Sequence, residues 1–422
     1  MFIYVYYKIT LKYSIYNINF FEIINNINCL MNSLVQPEDQ MLYVSFNQDS
    51  SCFALGTERG FKIYNTFPYK DKYERILEGG IGIVEMLYRS NILALVGGGK
   101  CPKYNKSKVI IWDDFQSKVI SELKFTSSIK NVKLKKDKII VVCEKRIFIF
   151  NLLTYENIDI LDTCENPRGL IAVNSDPGQT VIAFPVMSDK LDSKGYIQIK
   201  HLEKGIEKII HAHDSSVSYM AMNKEGTLIA TASDKGTIIR IYRCIDGSFI
   251  QEFRRGKEKA EISYICFDHS SKLMAATSDR GTIHIWSMGA CIKIMNEKPI
   301  ESGTMVDNRI TGRSEIESRE STEVNSENNN TNVIKNESED DFPKNQSSIF
   351  KGFPGIGGFF KSEWSFAKLR IENQKSICAF GPNNTIIAIT SEGKYYHAKI
   401  DLKKGGDCEI IQSISLNDAD KK

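Results

Sequence analysis

Val217-Ser218-Tyr219-Met220-Ala221-Met222, then Asn223-Lys224-Glu225-Gly226, Leu228-Ile229-Ala230-Thr231-Ala232 and Ser233-Asp234-Lys235-Gly236-Thr237, form the stretch whose reading decides the fold. The first run alternates, a polar turn follows, a strand of small residues comes next, and a glycine-bearing turn closes the unit. Half-buried antiparallel strands need this pattern. The stretch returns 45 residues later as Ile262-Ser263-Tyr264 through Ser278-Asp279-Arg280-Gly281-Thr282. Such a period matches the roughly 40–45 residues of a four-stranded propeller blade. In both copies a third strand follows and ends in an aromatic residue, Tyr242 or Trp286.

Working outward, weaker copies appear on both sides. Tyr43-Val44-Ser45-Phe46, Phe53 to Gly60 and Lys62-Ile63-Tyr64 read as a first blade, and Ile377 to Phe380 with Ile387 to Gly393 as a last one. Between them lie Val109 to Asp113, Ile139 to Cys143 with Ile147 to Phe150, and Thr180 to Phe184 with Tyr196 to Ile199. The count is seven units over residues 40 to 415. The expected fold class is therefore all-β, a seven-bladed β-propeller whose radial closure leaves only short protected edges. Residues 1–38 read as an N-terminal extension, 39–300 as blades one to six, 301–362 as an inserted loop and 363–418 as the end of blade six and blade seven.

Composition agrees with a soluble body. Hydrophobic residues make up 42% and charged residues 25% of the 422, enough for a large core and a wet surface. A net charge of +3 is too small for a nucleic-acid-binding face, so any anion site must be local. The cysteines form no CxxC pair and no cysteine-histidine cluster at zinc spacing, and they read as thiols in a reducing compartment. The apolar start, Met1 to Tyr7, is broken by Lys8 and Lys12 well short of the roughly 18 residues of a membrane span.

The inserted loop has two halves. Glu301 to Asp341 carries eleven acidic residues against Arg309, Arg313, Arg319 and Lys335, and has too little apolar surface to offset the cost of ordering. Ser348 to Lys361 then carries Ile349, Phe350, Phe353, Ile356, Phe359 and Phe360. Burying these in an acyl boundary would contribute about 1.5–3 kcal/mol for each fully buried side chain. Gly352, Pro354, Gly355, Gly357 and Gly358 argue for an irregular wedge over a regular amphipathic helix. The strand is expected to resume at Trp364-Ser365-Phe366-Ala367-Lys368-Leu369.

Phe253-Arg254-Arg255-Gly256 lies between the fifth and sixth units. Successive side chains on an extended segment point opposite ways, so the adjacent arginines can serve two sites. Guanidinium suits phosphate because its planar fork donates two charge-assisted hydrogen bonds. An interblade ion pair is the ordinary alternative for such a dipeptide. The surroundings favour an anion site. Thr231, Ser233, Thr237 and Arg240 lie near the Gly236 turn with His213 in the preceding loop, and Ser278, Thr282 and His284 hold corresponding positions one blade on. Hydroxyls and turn amides donate to phosphate oxygens and to inositol hydroxyls alike.

These residues resemble the PROPPIN family of phosphoinositide-binding propellers, whose signature Phe-Arg-Arg-Gly stands here without departure at 253–256. The resemblance spans roughly residues 40 to 415 and implies two lipid sites on the propeller rim. His213, Ser233, Gly236, Thr237, Arg240 and Arg254 would form the first, with Thr231 in place of a common serine. Arg255, Ser278, Thr282 and His284 would form the second. It implies ligands that are phosphatidylinositol 3-phosphate and the 3,5-bisphosphate, and a blade-six loop that enters the bilayer, where residues 298 to 362 lie. The implied partners are phosphoinositide-containing membranes and proteins of the autophagy, lipid-transfer or conjugation machinery, met by loops of blades two and three such as Gly97-Gly98-Gly99-Lys100-Cys101-Pro102. The implied location is cytoplasmic and peripheral on autophagosomal, endosomal or vacuolar membranes. A plastid-type organelle is the alternative if the Asn, Ile, Lys and Tyr abundance marks an apicomplexan-like genome.

No cofactor, no metal and no nucleic acid are expected. The glycine run lacks the Gly-Lys-Ser/Thr ending of a phosphate loop, the six histidines form no ligand pattern, and no nucleophile motif is present, so an enzyme is not the expectation. The lysines from Lys130 to Lys138 read as a solvated strand edge. The rival class is a protein-protein scaffold without an essential lipid site, since fold alone does not fix function.

Overall fold

Alternation and glycine turns organise the chain into seven small sheets, each built on four strands that run antiparallel in chain order. The computed structural model describes residues 40–186, 194–296, 343–346, 362–372 and 374–416. The extension over residues 1–38, the acidic stretch and the apolar residues Ile349, Phe350, Phe353, Ile356, Phe359 and Phe360 lie outside the described residues.

Blade one is formed by Met41–Phe46, Cys52–Thr57, Gly60–Asn65 and Lys70–Ile76, and blade two by Ile81–Met86, Ile92–Gly97, Lys108–Asp113 and Lys118–Lys124. Blade three is Ile129–Leu134, Lys138–Cys143, Arg146–Asn151 and Asn157–Asp162, and blade four Ala172–Val173, Val181–Pro185, Tyr196–His201 and Ile206–His211. Blade five holds Val217–Met222, Leu228–Ser233, Ile238–Arg243 and Phe249–Arg254. Blade six holds Ile262–Phe267, Leu273–Ser278, Thr282–Ser287 and Ala367–Arg370, and blade seven Ser376–Gly381, Thr385–Thr390, Lys394–Lys399 and Glu409–Ser415.

The second strands of blades one, three, five, six and seven are buried at every residue, because blades cover both of their faces. Small residues such as Ala230, Ala232, Ala275 and Ala276 let the sheets approach. Cores form between blades rather than within them. Ile239, Ile241 and Phe253 of blade five pack with Met274, Ala276 and Trp286 of blade six, and Phe53 and Tyr64 of blade one with Ile387 and Tyr395 of blade seven, closing the ring. The turn glycines are dictated by close approach. Gly236 has φ +58°, and a Cβ there would stand 1.9 Å from the Ala260 carbonyl oxygen.

Four sequence expectations change. The run resuming at Trp364 is divided between two blades: Glu363–Trp364 pairs in parallel with the outer strand of blade five, while Ala367–Arg370 completes blade six. A serine and a phenylalanine between them turn the chain, which periodicity alone does not reveal. Phe253 and Arg254 belong to the outer strand of blade five and do not follow it. The lysine run is only in part a solvated edge: it follows the edge strand Ile129–Leu134 and the first turn of blade three, and Lys136 is exposed, but its other members are engaged or buried. Lys133 meets buried Glu85 at 2.9 Å, Lys138 meets Glu203 at 3.0 Å, and Lys135 is buried with its ammonium among the oxygens of Asn174, Asp176 and Gln179. Finally, Cys52, Cys143, Cys244, Cys291 and Cys378 are buried free thiols, but half-buried Cys101 sits in a turn and is disulfide-bonded, so the all-thiol reading fails there.

A helix, Gly289–Asn296, leads out of blade six towards the insertion. Met288 and Cys291 anchor it in the core between blades five and six, and Arg243 donates to the Ile294 carbonyl at 3.0 Å near its end. The chain touches down again at Asn345, whose side chain accepts from Ser287 N–H at 2.8 Å and donates to Ser287 O and Glu363 Oε2, each at 2.7 Å.

Candidate functional site: two clefts beside blade five

Cross-strand partners share a face of a sheet, as do alternate residues of one strand. In blade five Thr231 pairs with Arg240, Arg240 with Glu252, and Ile238 with Arg254. Thr231, Ser233, Arg240, Glu252 and Arg254 therefore lie on one face, the one turned towards blade four. The segment from blade four closes on it: Gly195 O accepts from both Ala212 and His213 N–H, Arg240 Nη1 donates to Ala212 O at 2.9 Å, and His213 Nε2 stands 3.1 Å from Thr231 Oγ1. The Thr231 hydroxyl reaches Arg240 O at 3.3 Å. With that proton committed, His213 Nε2–H is the donor to Thr231. Burial, reinforced by the Arg240 charge, pushes His213 down to about 4, so it is neutral near pH 7.

At the centre of this first cleft stands Glu252. Arg240 Nε donates to one of its oxygens at 3.1 Å, Arg254 Nη2 lies 3.8 Å from the other, and the Ser362 hydroxyl donates to that same oxygen. Arg254 Nη2 also reaches Ser362 Oγ at 3.4 Å. The ordinary alternative for the arginine pair, an ion pair, is thus present for Arg254, within its own blade.

Arg255 departs from the opposite side of the chain. Its Nε donates to Gly236 O at 2.6 Å and its Nη2 to Glu258 O, while its own N–H bonds Thr237 O at 2.9 Å. It grips the turn of blade five with backbone acceptors only, and burial lowers its pKa. Across the second cleft, Thr282 and His284 of blade six pair in register with Arg370 and Lys368, so these four side chains share one face. His284 Nδ1 lies 3.0 Å from Ser365 Oγ. Burial, then the charges of Lys368, Arg255 and Arg370, push His284 down to about 3. Arg255 is therefore close enough to act on His284 electrostatically, without a hydrogen bond to it. Ser278 is turned to its own loop, accepting from Arg280 N–H at 3.4 Å. Gly256 has open space where a Cβ would be.

The structure brings His213, Thr231, Ser233, Arg240 and Arg254 together on one side of blade five. It brings Arg255, Thr282 and His284 together on the other, with Gly236 and Thr237 on the turn between. Sequence reasoning missed Glu252, Ser362, Ser365, Lys368 and Arg370. Period-two alternation back from Arg254 would have found Glu252; the others come from beyond the insertion and carry no local signal. Chemically the clefts present hydroxyls, neutral imidazoles, guanidiniums, the Lys368 ammonium and the Glu252 carboxylate, and the cations and hydroxyls among them can donate to an oxyanion. No group of three metal-ligating side chains occurs among the described residues, and none of their helices is long and apolar enough to cross a membrane.

Comparison with known proteins follows the same lines. The model of the PROPPIN family matches residues 41–313. The chain is 28% identical over 412 residues to autophagy-related protein 18 of Yarrowia lipolytica, covering 90% of this chain and 97% of that protein. It is 31% identical over 371 residues to autophagy-related protein 18e of Arabidopsis thaliana, covering 87% and 85%. Among solved structures, Hsv2 of Kluyveromyces lactis superposes with a TM-score of 0.63 at 19% identity, covering 90% of this chain and 99% of that one. An Atg21 solved in complex with the coiled coil of an Atg16 gives 0.63 at 22% identity, covering 89% and 99%. Seven blades, an unbroken Phe253-Arg254-Arg255-Gly256 and a family match over most of the propeller lead to one conclusion: this chain belongs to the PROPPIN family, among autophagy-related relatives.

Proposed function

We propose that this protein is a phosphoinositide effector, binding phosphatidylinositol 3-phosphate and the 3,5-bisphosphate in the two clefts beside blade five and recruiting autophagy or organelle-membrane machinery to that surface. One observation carries the reading: adjacent arginines leave blade five on opposite sides, Arg254 sharing Glu252 with the Arg240 that acts on buried neutral His213, and Arg255 acting on buried neutral His284. A phosphate would replace Glu252 and backbone carbonyls as the arginines' partner, and would draw a proton onto the histidines. The apolar residues of the insertion, from Ile349 to Phe360, would add a contact with the same bilayer. Two weak head-group sites engaging one surface retain the protein far longer than either alone.

Flotation with vesicles tests this. Arg254→Thr together with Arg255→Thr should abolish recovery with phosphoinositide vesicles, while each single variant keeps part of it. Undiminished flotation of the double variant overturns the lipid reading.

A scaffold reading has its own support. Phe115 (88% exposed) and Leu153 (84%) project from corresponding turns of blades two and three, and an Atg21 of the same fold has been solved with a coiled coil. If Phe115→Ser with Leu153→Ser abolishes capture of an Atg16-type coiled coil while flotation persists, the two functions are separable.

A further inference from the structure

The two clefts carry different charge arrangements although their sequences look alike. In the first, Arg240 and Arg254 share the single carboxylate of Glu252, whose side chain is only 16% exposed and sits between them. Asp214 acts on His213 from the exposed rim. Any anion entering here meets a largely but not fully buried negative charge at close range, in surroundings that screen it less than water does.

In the second, Arg255 bonds only carbonyl oxygens, and Lys368, directly across from His284, makes no ion pair among the described residues. Arg370 across from Thr282 has a carboxylate partner, Asp407 at 3.2 Å, but the two side chains are 66% and 63% exposed, so water and salt weaken that pair. Glu258, Asp279 and Arg280 also act on Arg255. Glu258 is exposed, and the Asp279 carboxylate accepts from Glu261 N–H at 3.0 Å. Three cations thus act on His284 in the second cleft, while the carboxylates that act on or pair with them, Asp279, Glu258 and Asp407, stand at exposed or half-exposed positions.

Resting on the proposed lipid reading, we infer that the clefts divide the ligands by charge: the cleft between blades five and six takes a head group bearing two phosphate monoesters, with Lys368 and Arg370 meeting the second one, while the cleft between blades four and five takes a head group bearing a single monoester because Glu252 repels another. Lys368 and Arg370 are then specificity-determining residues, and Glu252 is an internal counter-anion.

Single-cleft proteins test the division. Arg254→Thr leaves the second cleft and Arg255→Thr leaves the first. Each is floated with phosphatidylcholine vesicles containing 3-phosphate or 3,5-bisphosphate lipid at equal mole fraction, and titrated calorimetrically with soluble inositol 1,3-bisphosphate and 1,3,5-trisphosphate to separate head-group preference from bilayer effects. Arg254→Thr should prefer the more phosphorylated partner by about tenfold or more, the ratio one charge-assisted bond gives. Arg255→Thr should show no such preference. Adding Lys368→Ala and Arg370→Ala to Arg254→Thr should erase the preference yet keep binding of the 3-phosphate, and adding Glu252→Gln to Arg255→Thr should raise binding of the bisphosphate. The same preference in both single variants overturns the division while leaving the lipid function intact. A preference seen with vesicles but absent with soluble head groups also overturns it. Failure of the unaltered protein to float with either lipid overturns the lipid reading itself.

Discussion

In blades one to four every sheet is made of four strands that follow one another along the chain, whereas blades five and six each accept a strand from downstream. Glu363–Trp364, arriving after the insertion, lies parallel to the outer strand of blade five. Gly406–Asp407, from within blade seven, lies parallel to Ala367–Arg370 of blade six. Each of these blades is fastened by chain that belongs to a later part of the ring. Both clefts of the candidate site lie beside this fastened arc, and four of their groups, Ser362, Ser365, Lys368 and Arg370, come from the downstream chain. Donated strands also cover edges that would otherwise offer unpaired backbone groups. The comparison teaches that the chain returning after the insertion is part of the candidate site's architecture, because it supplies groups to both clefts.

If the two arcs differ in this way, the largest effect should come from the core that joins blades five and six. Trp286, fully buried and 6.0 Å from the Phe253 ring, is its centre. Trp286→Ala should cost about 3–5 kcal/mol in urea unfolding, with faster amide exchange in both blades. Exchange confined to blade six would show that the blades are not fastened to each other.

Acid should follow. His213 and His284 are held at about 4 and about 3 against an ordinary 6.5. As pH falls below about 6.5 the unfolded chain takes up protons that the folded one refuses, so stability present at pH 7 is lost progressively down to the folded-state values. By pH 5 the loss should be about 1–2 kcal/mol for each histidine, and His284→Gln should remove its share. A urea midpoint that does not move between pH 7 and pH 5 would refute it.

The smallest effect should come from Asn345→Ala, which removes three hydrogen bonds holding the returning chain to Ser287 and Glu363. The expected loss is about 1 kcal/mol in the urea midpoint, with faster exchange at Trp364 N–H, which donates to Gln346 O. Unchanged exchange there would mean that Asn345 does not hold the returning chain.

Much of this was legible beforehand, for physical reasons. Strand alternation and the glycine turns at Gly236 and Gly281 are local constraints, so the blades could be counted. The opposite directions of Arg254 and Arg255 follow from the period of an extended chain, and the structure places them on opposite sides of blade five. The pairing of Arg254 with Trp364 joins residues more than a hundred positions apart, and nothing in either segment's period specifies it. Lys368 and Arg370 escaped notice for the same reason. Lys135 looked like a surface lysine because neither the hydropathy of its neighbours nor their spacing tells that blade four supplies a set of carbonyls around it.

That lysine has a consequence for the other arc. Four oxygens surround its ammonium at 2.5 to 3.1 Å, the kind of shell that many proteins reserve for a coordinated alkali-metal ion. Here the cation is part of the polymer. It cannot be dialysed away, exchanged for a competing ion or removed by a chelator, so this contact between blades three and four draws no ion from the solution around it.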